Sequence, residues 1–255
     1  MYSIEINDKP IILIDCSYYI FYRYFATKKW ISFQKTDKEL DLFVCFEKHF
    51  ENDILKLIKK FKTQKENIYF GVDCCRDNIW RNKYLNSYKE KRINNPEFNR
   101  EIFDYFKNTI KNKFKLKLIT GDNLEADDVI ALLHKKLIGN EIIIITNDND
   151  YVQLKTLNTK IINMQFKDIT INCKTDNFVI HKALIGDKSD NIKRVGKITK
   201  NQAEILITKP LKDITNWLED NNLLEEFNNN LKLIDFKLIP ENLSKNFLDN
   251  IEIIN

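Results

Sequence analysis

The sequence predicts an α/β fold in which a mostly parallel, twisted β-sheet is flanked by helices. Short runs of β-branched residues alternate with longer segments whose apolar residues recur at helical spacing. Strands that alternate with helices favour a parallel sheet, and ligands of such sheets collect at the carboxyl ends of the strands. Acidic residues follow several of the predicted strands. The pattern that predicts the fold therefore also predicts where a functional site lies.

Four strands are expected, at residues 11–14, 67–72, 115–120 and 141–146. An aromatic-rich helix follows the first strand, and residues 40–61 have the periodicity of a long amphipathic helix. The segments 160–164 and 166–172 are typical of a hairpin that closes the edge of the sheet. We interpret the tyrosines and phenylalanines of the first helix as packing residues, with one or two available as a base-stacking platform.

An acidic segment, residues 120–154, carries the strongest functional signal. Its acids open a helical pattern or follow the fourth strand: Glu125, Asp127, Asp128, Asp148 and Asp150. Acids at a helix start are ordinary, because the free N–H groups and the helix dipole favour negative charge there. Five acids that converge where a strand ends would repel one another strongly unless cations lie among them. The segment therefore predicts a metal site.

Two further aspartates belong to the same predicted edge of the sheet. Asp15 ends the first strand, and Asp73 follows the second. Because aspartate is common directly after strands, each of them alone is explained as a capping or loop residue. That explanation does not account for seven acids at one edge, so we expect Asp15 and Asp73 to join the metal site.

Composition narrows the class of protein. The 255 residues include 43% hydrophobic and 12% aromatic residues, enough for one large or two modest domains. No segment is typical of a signal peptide or a membrane span, so we expect a soluble cytoplasmic protein, in the host cytoplasm for a phage or virus. The five cysteines include no C-x-x-C pair and indicate reduced packing thiols.

Charge is distributed unevenly, although the net charge is only +4. Residues 76–117 contain twelve Lys and Arg against five Asp and Glu, whereas residues 118–154 contain seven acids against two lysines. A basic run is usually a solvated helical face. Next to an acidic site, it also fits an enzyme that guides a polyanion to metal ions, as proteins that act on nucleic acids do.

The last third of the chain is expected to be helical. We place a soft domain boundary at residues 173–176, which separates a domain of residues 1–175 from one of residues 176–255. Helical patterns at residues 178–185 and 201–207 flank a polar loop. Two helices around a loop with outward-facing backbone amides are a common way to hold a phosphate.

The chain contains, in order, LIDCS, GVD, a segment with an arginine and YKEKR, then EADD, NDNDYVQL and GDKSDNI. This ordered set resembles the 5′-nuclease superfamily of flap endonucleases and 5′→3′ exonucleases. Each motif alone is weak, whereas the combination is specific and covers most of the chain. Within the superfamily, the likeness is strongest to the ribonuclease H enzymes of T-even phages, which remove RNA primers.

The resemblance implies a nuclease core in residues 1–175 with two divalent cations. The implied ligands are Asp15, Asp73, Glu125, Asp127, Asp128, Asp148, Asp150, Asp187 and Asp190. Hard oxygen ligands suit Mg²⁺, with Mn²⁺ as a substitute. The family has a helical arch over the site, which we place around residues 76–117. Its matching residues, expected to serve catalysis at the scissile phosphate, are Arg81, Tyr88, Lys89 and Arg92.

The resemblance also implies that the C-terminal helical domain completes the metal site and binds duplex through a helix-loop-helix element. Family sequences there usually read like GVPGIGPKTA, whereas this chain has RVGKITKNQA, with Lys197 and Thr199 where glycines are typical. Glycine lets a backbone approach phosphate closely, so a grip rebuilt from cationic side chains is expected. The expected nucleic-acid contacts are Lys83, Lys91, Lys193, Arg194, Lys197 and Lys200.

The implied substrates are DNA and RNA–DNA duplexes with 5′ ends or flaps. A sliding clamp or a single-strand-binding protein is a further class of partner that fits such an enzyme, and a membrane is not expected. Three alternatives stay open. A PIN-type ribonuclease is usually much smaller, a non-catalytic DNA-binding relative would be expected to have lost carboxylates, and a junction resolvase would cut four-way junctions as a dimer.

Overall fold

The computed structural model describes residues 1–35, 39–92, 95–171 and 177–254. Its strands are β1 (Tyr2–Glu5), β2 (Ile11–Asp15), β3 (Ile68–Gly71), β4 (Lys117–Ile119), β5 (Ile142–Ile145), β6 (Thr159–Ile162) and β7 (Ile251–Ile254). Its α-helices are α1 (Cys16–Ser32), α2 (Leu42–Phe61), α3 (Glu101–Tyr105), α4 (Lys111–Phe114), α5 (Ala126–Lys136), α6 (Phe178–Ile185), α7 (Lys200–Leu206), α8 (Leu211–Asp220), α9 (Leu224–Ile234) and α10 (Glu241–Asp249). Short 3₁₀ turns lie at Lys65–Asn67, Arg76–Asn78, Trp80–Lys83, Asn149–Leu154 and Phe236–Leu238.

Five of these strands form one parallel sheet in the order β4-β3-β2-β5-β6. In its centre, Leu13 lies opposite Ile144. Alternate residues of β2 enter two different cores, since Ile11 and Leu13 pack in the cluster that contains α5, whereas Ile12 and Ile14 pack with α1 and α2. A strand covered on both faces has no polar side, which explains the uninterrupted apolar runs. The predicted α/β class with a mostly parallel sheet and flanking helices is confirmed.

Close packing of α5 on β3 brings the acidic helix start to the end of the sheet. A Cβ atom on Gly71 would lie 2.7 Å from Cγ1 of Ile130, so only glycine permits this approach. The backbone N–H of Ala126 then donates to a carboxylate oxygen of Asp73 at 2.8 Å. Helix α5 and strand β3 are thereby fixed relative to each other at the point where their acids meet.

The two ends of the described chain meet in a second sheet that the sequence did not predict. Strand β1 pairs in parallel with β7, and Tyr2 lies opposite Ile251. Phe247 and Ile251 belong to the same buried cluster as Val129 of α5. The C-terminal residues therefore complete the core beneath the helix that carries three of the predicted site acids.

The predicted C-terminal helices are present as α6 and α7. The division into residues 1–175 and 176–255 stays a prediction, because the proposed boundary at residues 173–176 lies outside the described residues. Across the part of the chain that the structure describes, no helix is long and apolar enough to cross a membrane.

The predicted hairpin at residues 160–164 and 166–172 is wrong in its second strand. Strand β6 pairs in parallel with β5, and the only antiparallel contact described there is a single bridge between Ile162 and Asp168. Phe166 adopts a left-handed backbone with φ of 61°, and the Asn163 side chain accepts from two following backbone N–H groups. These interactions stabilise a turn in place of a strand. Residue 172 lies outside the described residues.

The predicted helical arch around residues 76–117 also needs correction. Residues 84–92 form turns rather than a helix. Among them, Lys89 has a left-handed backbone with φ of 55°, which a helix does not permit, and its N–H donates to the Asp190 carbonyl. The helical part, from α3 through the π-helical turn at Phe106–Ile110 to α4, buries Ile102 and Phe106 in the core beside α1 and α2. Residues 93–94 lie outside the described residues.

Candidate active site

A cleft of about 1040 Å³ opens at the carboxyl ends of the central strands. Its acidic lining residues are Asp15, Asp73, Glu125, Asp127, Asp148, Asp150 and Asp187. Lys89, Arg92 and Lys182 line the same cleft. Asp128 and Asp190 are buried, at 0% and 6% exposure, and do not line it. The topology thus brings most of the predicted metal ligands to one surface, while their binding of metal stays a prediction.

Asp15 and Asp73 are held at the strand ends by neighbouring elements. Asp15 accepts from the backbone N–H of Tyr18 at 3.0 Å and from the hydroxyl of Tyr151 at 3.2 Å. Asp73 accepts from the hydroxyl of Ser17 as well as from α5. Because each carboxylate is already oriented by protein donors, its remaining lone pairs are fixed in direction toward the cleft.

The charges of Asp73, Asp127 and Asp148 act on Asp15, and these four residues form the first acidic group. Burial and, next to it, the nearby charge of Asp73 raise the pKa of Asp15 to about 7. Burial and the charge of Asp127 likewise raise the pKa of Glu125 to about 7, against the lowering effect of Lys89. Both carboxyls would ionise more readily beside a cation. The site therefore favours a bound cation electrostatically.

Arg81 and Asp128 form a buried pair behind the cleft. The Arg81 guanidinium, 1% exposed, donates to both carboxylate oxygens of Asp128 at 2.8 Å and to Glu125 at 2.9 Å. Its Nε donates to the Leu233 carbonyl, and the Trp80 indole N–H donates to Asp128. Arg81 thus positions the acids and has no face toward the cleft. The expected contact between Arg81 and a phosphate is not supported.

A second set of contacts ties residues 84–92 to the acids. Lys89 Nζ lies 2.5 Å from Glu125, and Arg92 donates to Asp190 at 2.7 Å. The buried hydroxyl of Tyr88 lies 3.1 Å from Glu125 and 3.3 Å from Asp190. Lys89 and Arg92 line the cleft, whereas Tyr88 lies behind it. The segment therefore presents two of its three predicted catalytic side chains to the cleft.

The second acidic group consists of Asp150, in the turn after β5, and of Asp187 and Asp190, in a tight loop after α6. One carboxylate oxygen from each of the three residues lies within 4.8 Å of the other two. Gly186 has φ of 74°, and a Cβ there would lie 2.5 Å from the Ile192 carbonyl oxygen, so the loop requires glycine. Asp187 and Ile192 exchange two backbone hydrogen bonds of 2.9 and 2.8 Å, which close the turn.

Lys182 supplies a positive charge inside the second acidic group. Its Nζ bonds Asp150 and lies 2.6 Å from Asp187. Burial raises the pKa of Asp150 to about 6 against the effect of Lys182. Burial alone would also raise the pKa of Asp187, but Lys182 and the Ser189 donors outweigh it and lower this pKa to about 2. The second acidic group is therefore partly neutralised by the protein itself.

The cations predicted to contact nucleic acid are all exposed: Lys83, Lys91, Lys193, Arg194, Lys197 and Lys200. Lys91, Lys193 and Arg194 line a second, smaller cavity of about 440 Å³ together with Lys188. No acidic residue lines this cavity within the described parts of the chain. The turn segment and the loop after α6 therefore share one basic surface, although their nucleic-acid contacts stay predictions.

Several site residues were missed by the sequence analysis. Lys182 was visible only as a lysine in a mostly apolar helix pattern, five residues before Asp187. Ser17 lies two residues after Asp15, in the first turn of α1, and Trp80 directly precedes Arg81. A serine that closely follows a strand-end aspartate could have been predicted as a hydrogen-bond donor of the site. The contact between the Trp80 indole and Asp128 depends on tertiary packing.

In the absence of metal ions, the free energy of unfolding of the protein is predicted to decrease as pH rises from about 4 to about 7. Asp15 has a folded pKa of about 7 against an ordinary value of 3.8, so in this window the unfolded chain ionises while the folded site resists ionisation. Asp15→Asn should weaken this fall and raise the melting temperature at pH 7.5 in EDTA. Thermal melts from pH 4.5 to 8 check it, with exposed Asp122→Asn as control. An equal fall in all three proteins would contradict the electrostatic assignment.

Arg81→Met should destabilise the fold by about 3–5 kcal/mol, because it leaves Asp128 buried without a charge partner. Urea unfolding followed by circular dichroism measures the loss. Arg194→Met removes an exposed arginine and serves as the control, with little expected change. The double variant Arg81→Met/Asp128→Asn should recover part of the loss. A double variant as unstable as the sum of both single changes would contradict the account.

Comparisons with known proteins agree with this geometry. A family model described as "5'-3' exonuclease, N-terminal resolvase-like domain" matches residues 10–183. The chain is 30% identical over 220 residues to a 5′-3′ exonuclease of Buchnera aphidicola subsp. Acyrthosiphon pisum, which covers 80% of this chain and 72% of that protein. It is 29% identical over 231 residues to the Ribonuclease H of Enterobacteria phage T4, which covers 78% of this chain and 74% of that protein.

A solved structure shows the same fold. The T5 5′-exonuclease with bound divalent metal ions (zinc) superposes with a TM-score of 0.65 and 19% identity, covering 95% of this chain and 98% of that chain. The match with the family model spans more than half of the sequence and includes the acids at or just after the carboxyl ends of strands β2, β3 and β5. With the site geometry and the named relatives, these matches show that the chain belongs to the 5′-3′ exonuclease family of the 5′-nuclease superfamily.

Proposed function

We propose that this protein is a structure-specific 5′ nuclease that hydrolyses phosphodiester bonds with two divalent cations, Mg²⁺ in the cell and Mn²⁺ as a substitute. Its proposed substrates are DNA and RNA–DNA duplexes with 5′ ends or flaps, including RNA primers during DNA replication. The observation that carries the proposal is the meeting of seven carboxylates with Lys89 and Arg92 in one cleft. Membership of a nuclease family supports the reaction type.

The donor set fits hard divalent cations. Each acidic side chain of the cleft offers carboxylate oxygens, and no histidine or cysteine lines the cleft in the described ranges. Mg²⁺ and Mn²⁺ prefer such oxygen ligands, whereas zinc sites usually contain histidine or cysteine. When bound, the ions supply activation of the attacking water and neutralisation of charge on the phosphate. No protein nucleophile is needed for this reaction.

We propose that the two acidic groups hold one ion each. Asp15, Asp73, Asp127 and Asp148 would hold the first ion, because burial and the neighbouring carboxylates raise the pKa of Asp15. Asp150 and Asp187 would hold the second together with Asp190. Asp128 is saturated by Arg81, Trp80 and its own helix start, so it supports the site without reaching an ion.

Lys89 and Arg92 are proposed to bind the oxygens of the scissile phosphate. Both line the cleft, where Lys89 pairs with Glu125 and more distantly with Asp190, and Arg92 pairs with Asp190. Donors held in place before the reaction need no reorganisation when negative charge develops, which is why they stabilise a transition state strongly. Tyr88 would act by holding Glu125 and Asp190 in position.

The basic surface around the smaller cavity is proposed to hold the duplex part of the substrate. Lys91, Lys193 and Arg194 lie there with Lys188 and without acidic neighbours in the lining. Phosphate contacts of this kind position a substrate without reading its sequence. They also make binding depend on salt, with a log–log slope of about −0.9 for each neutralised phosphate of B-DNA.

Asp127→Asn or Asp148→Asn should reduce cleavage to background while binding in Ca²⁺ survives, because the acids serve the chemistry and the basic surface serves affinity. The substrates are end-labelled and carry a 5′ flap, a nick, an RNA–DNA hybrid or a four-way junction. Cleavage of the 5′-ended substrates in Mg²⁺ by the unchanged protein supports the proposal. Symmetric cutting of the junction alone would favour a junction resolvase, and wild-type turnover in either variant would contradict the site.

Lys89→Ala and Arg92→Ala should lower single-turnover cleavage by about 10²–10³-fold, the loss typical of a preorganised transition-state donor. Lys193→Ala should show the opposite balance, with weaker duplex binding in Ca²⁺ and a smaller loss of rate once substrate is saturating. Titrations at several salt concentrations and quenched-flow rates on one 5′-flap substrate separate the two effects. If Lys89→Ala and Arg92→Ala weakened substrate binding without lowering the cleavage rate, the two residues would contribute only to affinity and not to catalysis.

A further inference from the structure

The loop between α6 and α7 holds a carboxylate on its backbone. Gly196 is exposed, and its N–H donates at 2.7 Å to a carboxylate oxygen of Glu226, which lies in the first turn of α9. A hydrogen bond from an N–H group to a charged oxygen is stronger than one between neutral groups. The loop therefore already binds an anionic group, and that group belongs to the protein itself.

The backbone at Gly196 permits a close approach of α9. Its φ of 49° is left-handed, and a Cβ atom there would lie 2.7 Å from Cδ2 of Leu223, so the position requires glycine. Asn230, four residues after Glu226 and on the same face of α9, donates from Nδ2 to the Lys193 carbonyl at 2.8 Å. The packing of α9 on the loop thus holds Glu226 beside Gly196.

Other N–H groups of this loop have uncharged acceptors. The N–H of Val195 donates to a carbonyl of α6 at 3.0 Å, and the N–H of Ile198 donates to the Val195 carbonyl at 3.1 Å. The N–H of Thr199 donates to the side chain of Gln202 at 2.8 Å. Gly196 differs from these three positions because its acceptor is charged and belongs to an exposed side chain, which can turn away into water.

Cationic side chains lie on both sides of Gly196 in the sequence. Lys193, Arg194 and Lys197 are exposed, and the first two line the smaller cavity that we assign to the duplex. Phosphate oxygens accept hydrogen bonds from backbone N–H groups as well as from such side chains. A phosphate and the Glu226 carboxylate are both anionic acceptors, and one N–H cannot bind both at full strength. A duplex phosphate that reaches Gly196 therefore has to displace Glu226.

We infer that Glu226 is an internal competitor of the duplex. Its carboxylate occupies the place of a backbone phosphate at the Gly196 N–H and leaves when the duplex binds. This inference rests on the proposed function and adds to it a residue that regulates affinity. Glu226 lowers the affinity for duplex and shortens its residence on the protein, because affinity differences between variants of one interface arise mostly in the dissociation rate.

Nuclear magnetic resonance follows the Gly196 N–H directly. Val195 and Gly196 form the only Val-Gly pair of the sequence, so labelling with ¹⁵N-glycine and carbonyl-¹³C valine identifies this one signal. A 5′-flap DNA is added in Ca²⁺, as in the binding measurements above. The Gly196 signal should move as the DNA saturates the unchanged protein. In Glu226→Gln, the signal should already lie elsewhere before DNA is added.

Glu226→Gln tests the competition. Glutamine keeps a hydrogen-bond acceptor and removes the charge, so this variant should bind the same DNA about fivefold more tightly, as expected when a charge-assisted competing bond becomes a neutral one. Glu225→Gln is the matched control, because Glu225 is also exposed in the first turn of α9 and its replacement leaves Glu226 unchanged. Fluorescence anisotropy in Ca²⁺ measures affinity, and circular dichroism melts check that each variant folds.

A Gly196 signal that does not move when DNA saturates the unchanged protein would overturn the inference, and this result needs no variant. Equal gains of affinity in Glu226→Gln and Glu225→Gln would also overturn it, because they would show a general effect of charge. Unchanged or weaker binding by a folded Glu226→Gln would make Glu226 a structural support of the loop and would overturn the inference as well.

These three outcomes leave the proposed function intact, provided the unchanged protein cleaves the flap in Mg²⁺. Failure of the unchanged protein to bind or cleave any 5′-ended substrate would instead overturn the proposed function itself, and the role of Glu226 with it.

Discussion

Repulsion among carboxylates at the end of the parallel sheet is the constraint on which the rest of the structure depends. The sheet order brings Asp15, Asp73 and Asp148 to one edge, and the close packing of α5 on Gly71 adds Glu125 and the acids beside it. Burial makes this charge costly, as the raised pKa of Asp15 shows. Such a cluster persists because other parts of the fold hold it together, and it is poised to accept cations.

Lysine and arginine side chains of the protein lie beside these carboxylates, and their roles differ with their positions. Arg81 is buried with Asp128 and fixes the start of α5. Lys182 lies inside the second acidic group, while Lys89 and Arg92 stand at the cleft. Cationic residues that look alike in the sequence therefore differ in the structure, since Arg81 is buried in an ion pair, Lys182 pairs with two acids, and Lys89 and Arg92 line the cleft.

The sheet and its acidic edge were predictable because their signals are local. The apolar run before Asp15 and the β-branched run before Asp148 each identify a buried strand that ends in an acid. The burial of Arg81 was not predictable, since its partner Asp128 lies 47 residues away and only tertiary packing joins them.

Two other features depended on the folded chain in the same way. The pairing of β1 with β7 joins strands of four residues from opposite ends of the described chain, too short to stand out in a sequence. The turns at residues 84–92 were not predictable either, because the left-handed backbone at Lys89 accompanies a hydrogen bond from its N–H to the Asp190 carbonyl, about a hundred residues away.

The most direct test of the account is where a divalent cation binds. A crystal of the protein soaked in Mn²⁺, with diffraction recorded on both sides of the manganese absorption edge, locates the ion by its anomalous signal. The account predicts the strongest peak among the carboxylates of Asp15, Asp73, Asp127 and Asp148. A second manganese ion, where one binds, should lie between Asp150 and Asp187 and displace the Lys182 side chain from them. Manganese bound elsewhere, with the first acidic group left without a peak, would contradict it.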